Sequence, residues 1–357
     1  MDGEPVPPIT PDQLQLLAPW YSQNGRDSRT LNLFDAVPKY PFPTTRFVEN
    51  SEPIEAAFTI QGRRYLAEVW PAQIKLASGE VRLAFPGARE ELVERALRFL
   101  AVQQLVAMRI TPSQKGGASG IAVEFTLSRI RRHLEELGHG YKVGEIREAL
   151  DILSRTRIRL RDVDAAAKKR EVFSEDSILT RYAGDFAEGD QSGEESRISV
   201  LFHQLATQAI FEMAYWPINQ RRVGELKAPL ARWLTTRMSH NFRQAQKHAY
   251  LDGGSGYHIR LSTILAERGL VREKRLRDNV DTVRGALKEM VAEKILNALR
   301  PFNESLEHAA TRGRPQIRDV VWVLYPSSEF VEEIIRGNVE MARARQLEAG
   351  GNKRESP

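Results

Sequence analysis

Two stretches of this chain, about 135 residues apart, can be laid over one another, and that repeat constrains the fold more than any other feature. Gly-Gly-Ala-Ser-Gly at 116–120 answers Gly-Gly-Ser-Gly at 253–256. Leu127-Ser128 answers Leu261-Ser262, and Ile146-Arg147 answers Val283-Arg284. Ala149-Leu150 then answers Ala286-Leu287, Leu153 answers Met290, and Ile158 answers Ile295. The pairs occur in the same order. A chain of 357 residues also suits two domains of roughly 100–200 residues each.

Each copy reads as the same series of elements. In the first, GAREELVERALRFLAVQQLVAM is a long helix with Val93, Ala96, Leu97, Leu100 and Ala101 at helical spacing. FTLSRIRRHLEELG is a short helix, with Ile130, Leu134 and Leu137 on one face. KVGEIREALDILSR is a third, with Ile146, Ala149, Leu150 and Leu153 on its apolar stripe. RTRIRLRD alternates as a half-buried strand, Ile158 and Leu160 inward and Arg157, Arg159 and Arg161 outward. The second copy runs LKAPLARWLTTRMSHNFRQAQKHAY, YHIRLSTILAERG and RLRDNVDTVRGALKEMVAEK, then a hairpin from KILNALRPFNES to QIRDVVWVLYP. Ser128 and Ser262 stand where helix N-caps are expected.

Helix, helix–turn–helix and hairpin in that order predict a winged helix. The expected fold class is α+β: two tandem winged-helix domains related by internal duplication. The expected divisions are a flexible Pro-rich segment at 1–50, domains at 51–218 and 219–335, and a C-terminal helix and tail at 336–357. Strands are also expected between Ile54 and Phe85, around a turn at Ala77 to Gly79.

In such a unit the third helix seals the core with one face and offers the other to a major groove. In the first unit the candidate DNA contacts on the helices are Arg131, Arg132, Lys142, Arg147 and Arg155. In the second they are Arg272, Lys274, Arg275, Arg277, Asn279, Thr282, Arg284 and Lys288. Arginine pairs bidentately with guanine and asparagine with adenine, so the second unit is expected to read more sequence. Lysines are expected on phosphates. The first wing is placed at 157–170, where Arg157, Arg159, Lys168 and Lys169 are the contacts; the second carries Arg312 and Arg314. Arg312-Gly313-Arg314-Pro315 resembles an AT-hook, which lies in a narrow minor groove. The plainer reading is a solvated basic face, and several of these arginines have acids three or four residues away.

The net charge of +5 is compatible with a polyanionic partner. The absence of cysteine excludes disulfides, thiolate metal sites and cysteine nucleophiles. No Walker-type phosphate loop is present, and the seven histidines form no His-x-His pair. Neither an ATPase nor a metal-dependent nicking enzyme is therefore expected, and no metal or cofactor. No apolar run approaches the about 18 residues of a membrane span, and the acidic start is no signal peptide. The expectation is a cytoplasmic, non-enzymatic protein.

RISVLFHQLATQAI, LKAPLARWLTTRM and AlaLeuLysGluMet at 286–290 stand in order along the chain. In that order they resemble segments of the iteron-binding plasmid replication initiators, the RepA/RepE/TrfA-like group. The likeness covers about residues 55–330. It implies binding to directly repeated origin sites, opening of an adjacent A·T-rich element and recruitment of host DnaA and the replicative helicase. It further implies a monomer–dimer equilibrium. Thr30-Leu31-Asn32-Leu33-Phe34 resembles the sliding-clamp-binding pattern Q-L-[SD]-L-F without its glutamine, with Leu31, Leu33 and Phe34 as anchors. The alternative is a hydrophobic segment packing on its own domain. The rival for the whole chain is a winged-helix transcriptional repressor without initiation activity.

Overall fold

The computed structural model describes residues 33–40, 47–60, 63–76, 78–107, 122–164, 173–185, 197–202, 220–241, 256–268, 276–308 and 317–336. The first described element already departs from the expected flexible segment at 1–50. The short helix α1 (Leu33–Ala36) and the residues after it enter a core, burying Phe34, Val37 and Tyr40. Lys39 is buried there too, its Nζ donating to the Phe34 carbonyl at 2.7 Å and lying 3.8 Å from the Phe34 ring centre. Burial pulls the Lys39 ammonium down to about 8.

Strands β1 (Phe47–Val48), β2 (Ile54–Ile60), β3 (Arg63–Val69), β4 (Ala72–Lys75) and β5 (Val81–Ala84) follow. β4 and β5 form the hairpin at the expected turn, with Gly79 at φ +85° as its left-handed residue; RRYLAEVW, whose alternation suggests the strand before that turn, is β3 and pairs with β2 and a later strand instead. β1 adds to its outer side, giving a sheet of order β1-β5-β4. The long helix α2 (Ala88–Ala107) opens with the Glu90 carboxylate accepting from the Gly87 amide at 2.8 Å. It buries Leu92, Val93, Ala96, Leu97 and Leu100 at the centre of the first core.

β6 (Ala122–Thr126) then runs straight into α3 (Leu127–Glu136). Thr126, not Ser128, caps this helix: its hydroxyl accepts from the Arg129 amide at 3.2 Å. Gly138 ends the helix at φ +82°, and the His139 amide donates back to the Leu134 carbonyl at 2.8 Å. That turn aims α4 (Val143–Arg155), whose first turn is closed by Glu145 accepting from the Lys142 amide at 2.8 Å. Ile146, Ala149, Leu150 and Leu153 are buried, as their spacing requires.

After α4 the chain differs from expectation. β7 (Arg157–Asp162) pairs with β3 and with β8 (Phe173–Ser177), completing a four-stranded sheet of order β2-β3-β7-β8. β7 is therefore not the first wing. Ile158 and Leu160 find their apolar partners across β3, opposite Val69 and Ala67. β8 continues through the buried Ile178 into β9 (Leu179–Asp185), which leaves for a different sheet. There β9 pairs with β10 (Arg197–Phe202), and β10 with β6, in the order β6-β10-β9. The strand pair beside α3 and α4 is thus β9–β10, and residues 186–196, rich in acids, link it.

The second half holds α5 (Gln220–Glu225), α6 (Pro229–Asn241), β11 (Tyr257–Arg260), α7 (Leu261–Arg268) and α8 (Leu276–Ala292). β12 (Phe302–His308) and β13 (Ile317–Leu324) follow, and then helical residues 328–336. Its sheet order, β11-β13-β12, repeats β6-β10-β9 position for position. Phe125 opposite Ile198 and Ile259 opposite Trp322 are matching buried pairs, each two residues before a helix that begins at Leu127 or Leu261. The cap differs again from expectation: Asp319 on β13 accepts from both the amide and the hydroxyl of Ser262.

The two halves meet along α2. Glu91, 3 % exposed in its side chain, receives Arg232 of α6 at 3.0 Å and Arg268 of α7 at 3.3 Å. Both arginines are buried. Burial alone would raise the Glu91 carboxyl, but the two guanidinium groups hold it down at about 2. In the same seam α7 packs on β2, and the His139 ring lies 2.7 Å from the Gly224 carbonyl.

Candidate nucleic-acid interface

The two equivalent third helices differ in what they leave open. On α8, Val280, Val283, Ala286, Leu287 and Met290 face the core. The opposite stripe, Arg277, Asp278, Asp281, Thr282, Arg284, Gly285 and Lys288, is exposed from the first turn to the last. On α4 only Gly144 and Arg155 are exposed within the helix, because two sides are covered. Ile152 packs against Ala72, Ile74 and Ala84 of the β1-β5-β4 sheet, and Arg155 donates to the Gln73 carbonyl at 3.0 Å. Burial raises the Asp151 carboxyl on the same helix. A helix covered in this way offers mainly its N-terminal end to a groove, around the exposed Lys142 and the half-buried Arg147.

Several expected contacts change standing. Asn279 is 6 % exposed, because positions 279, 283, 286 and 290 fall on one stripe of a 3.6-residue helix and that stripe is the core. It is not a base reader on the open face. Thr282 is exposed, with its hydroxyl donating to the Asp278 carbonyl at 2.9 Å. Arg277 is exposed beside Asp281 at 3.6 Å, and Lys288 is exposed near the end of the stripe. On α3, Arg132 is exposed and Arg131 lies 3.3 Å from Glu135.

The arginines expected on the first wing line the β2-β3-β7-β8 sheet instead, opposite carboxylates. Arg157 and Arg159 share Glu175 at 3.2 and 3.8 Å, and Arg161 pairs with Glu68. Arg157 also stacks over Trp70 at 4.6 Å. The charge of this face is largely balanced locally. Phe34, proposed from its motif as a clamp anchor, is 2 % exposed and sits under Arg98 and Lys39, so that motif packs on its own domain. Leu33 shares its helix, and Leu31 lies outside the described residues. So do Lys168, Lys169, Arg272, Lys274, Arg275, Arg312 and Arg314.

On the α8 stripe, Arg284 is held by two carboxylates. Its Nε and Nη2 donate side-on to Glu304 of β12 at 2.9 and 2.6 Å, and its Nη1 donates to Asp281 at 3.2 Å. Glu304 also accepts from the indole Nε1 of Trp322 at 3.1 Å. The Arg284 hydrogen bonds lower the Glu304 carboxyl. Sequence reasoning missed this carboxylate, since its partner lies 20 residues away on another element. It also missed Glu289, which lies in the family-like run at 286–290. Its carboxylate accepts from the amides of Lys227 and Ala228 and so closes the start of α6.

Among the described residues no three His, Asp or Glu side chains stand together as a metal site. No described helix is long and apolar enough to cross a membrane. No family model and no curated protein sequence matches the chain. Among solved structures, a crystal structure of RctB domains 2-3 is similar at 13 % identity and a TM-score of 0.46, spanning 86 % of this chain and 100 % of that one. A selenomethionine derivative of the same two domains gives 15 % identity and a TM-score of 0.46, over 82 % and 96 %. A likeness this loose carries no argument about function.

Proposed function

We propose that this chain is a non-enzymatic, cytoplasmic DNA-binding protein built on two winged-helix units, and that it initiates replication at directly repeated duplex sites. The observation that carries the DNA-binding reading is the open stripe of α8. It presents Arg277, Thr282, Arg284 and Lys288 on one uninterrupted exposed face, opposite a sealed apolar one. The Arg284–Glu304 contact between α8 and β12 supports reading β12–β13 as the wing of that helix. Initiation rests on the ordered likeness to the plasmid initiators, as do DnaA, the replicative helicase and the monomer–dimer equilibrium. The first unit, with α4 half covered, contributes less sequence reading.

The test has two parts. Footprinting of the full chain on the DNA upstream of its gene should protect direct repeats about two helical turns long. A lone inverted repeat at a promoter would favour a repressor. The gene with that DNA should also maintain a replicon lacking its own origin, and failure with soluble protein present would refute initiation.

A further inference from the structure

We propose that Glu304 and Asp281 are positioning residues that hold Arg284 ready to read a guanine, which rests on the reading of α8 as the recognition helix. Arginine carries five N–H donors in a planar fork. In Arg284 the Nε and Nη2 edge is given to Glu304, and one Nη1 hydrogen to Asp281. One hydrogen on Nη1 and one on Nη2 remain, and we take these as the end-on edge. That edge matches the O6 and N7 acceptors of guanine in the major groove.

The support comes from two elements. Asp281 lies one turn earlier on α8 itself. Glu304 stands directly across from Trp322 in the β12–β13 register and accepts from its indole. Trp322 is fully buried, so the carboxylate that orients the guanidinium is tied to the core of the second half. Arg284 itself remains 45 % exposed in its side chain. An unsupported arginine would give up its rotamer freedom on meeting DNA; here that freedom is given up on folding. The opposite role for Glu304 is competition, with a carboxylate that neutralises Arg284 until DNA displaces it. The two roles predict opposite results when the charge is removed.

The experiment is selection from a pool of randomised duplexes by the full chain. It is run in parallel with wild type, Arg284→Ala, Glu304→Gln and Asp281→Asn, and followed by binding to single-base variants of the winning site. Wild type should enrich a motif containing a guanine whose preference Arg284→Ala abolishes. Glu304→Gln keeps an acceptor for Trp322. It should lower the preference at that one position about tenfold while the rest of the motif persists. Asp281→Asn, on the exposed helix face, should lower the same preference about threefold, and it carries the test alone if Glu304→Gln does not fold. A Glu304→Gln chain that binds all duplexes more tightly with its motif intact would overturn the inference and make Glu304 a competitor. An unchanged preference in the folded carboxylate variants would overturn it as well. If wild type enriches no motif, or Arg284→Ala leaves it unchanged, the reading of α8 fails first and the inference falls with it.

Discussion

Replacing Glu91 by glutamine should loosen the seam between the two halves of the chain. The carboxyl is held at about 2, against an ordinary value of 4.5. Such a depression corresponds to about 3 kcal/mol favouring the charged form in the fold. Arg232 and Arg268 would remain buried, each without its carboxylate, and breaking a buried pair from one side costs about 3–5 kcal/mol. Glu91→Gln should therefore lower the stability of the full chain by about 3 kcal/mol or more. Urea unfolding followed by tryptophan fluorescence reads it, since Trp70 lies in the first half and Trp233 and Trp322 in the second. Unfolding of the variant should split into two transitions as the halves lose their coupling. Adding Arg268→Met should recover part of the loss by removing one unpaired charge. The pH dependence has a fixed sign: because the folded carboxyl is depressed, its contribution is complete above about 4.5 and is lost as pH falls toward 2. The variant should have a shallower acid slope in that window. A loss below about 1 kcal/mol, the value of an exposed pair, would refute the reasoning.

Four further outcomes are expected. Lys294 ends α8 at φ +55°, a conformation glycine adopts without strain, so Lys294→Gly should raise stability by about 1 kcal/mol in the same urea assay. A Cβ on Gly256 would stand 2.6 Å from Val323 Cγ1 and 2.9 Å from the Leu324 carbonyl, so Gly256→Ala should cost about 1–3 kcal/mol and lower the melting temperature. DNA affinity should fall steeply with salt as bound phosphates release counterions, and a flat response in a binding titration would contradict the DNA-binding reading. Lys288→Ala should weaken all duplexes about equally, in contrast to Arg284→Ala, which should relax preference at one base.

Sequence periodicity was enough to locate α2, α3, α4 and α8, because their apolar stripes are local. The repeat of Leu127 in Leu261, and the β12–β13 hairpin, were legible for the same reason. The pairing of β7 was not. An alternating strand states which side is buried but not which neighbour it chooses, and β7 joins β3, a strand about 90 residues earlier. Asn279 was misplaced because its side-chain amide suggested base reading, whereas one helical step beside Val280 puts it on the inner stripe. Arg284 was found and its partners were not, since a carboxylate on a facing strand leaves no spacing in the sequence. The buried Glu91 was silent for a similar reason: within α2 it looks like an ordinary surface acid ahead of Arg95.

Glu91 also bears on how a chain like this can diversify. The two halves share a strand order, yet a half taken from another protein could not simply be substituted for the present one. If it arrived without arginines at the places of Arg232 and Arg268, Glu91 would be sealed in the seam with Arg95 as its remaining counter-charge. The seam residues are bound to change in concert. On the outer stripe of α8, Thr282 and Lys288 carry no such obligation, so on the proposed reading of that helix its recognition can change there while the pairing of the halves stays as it is.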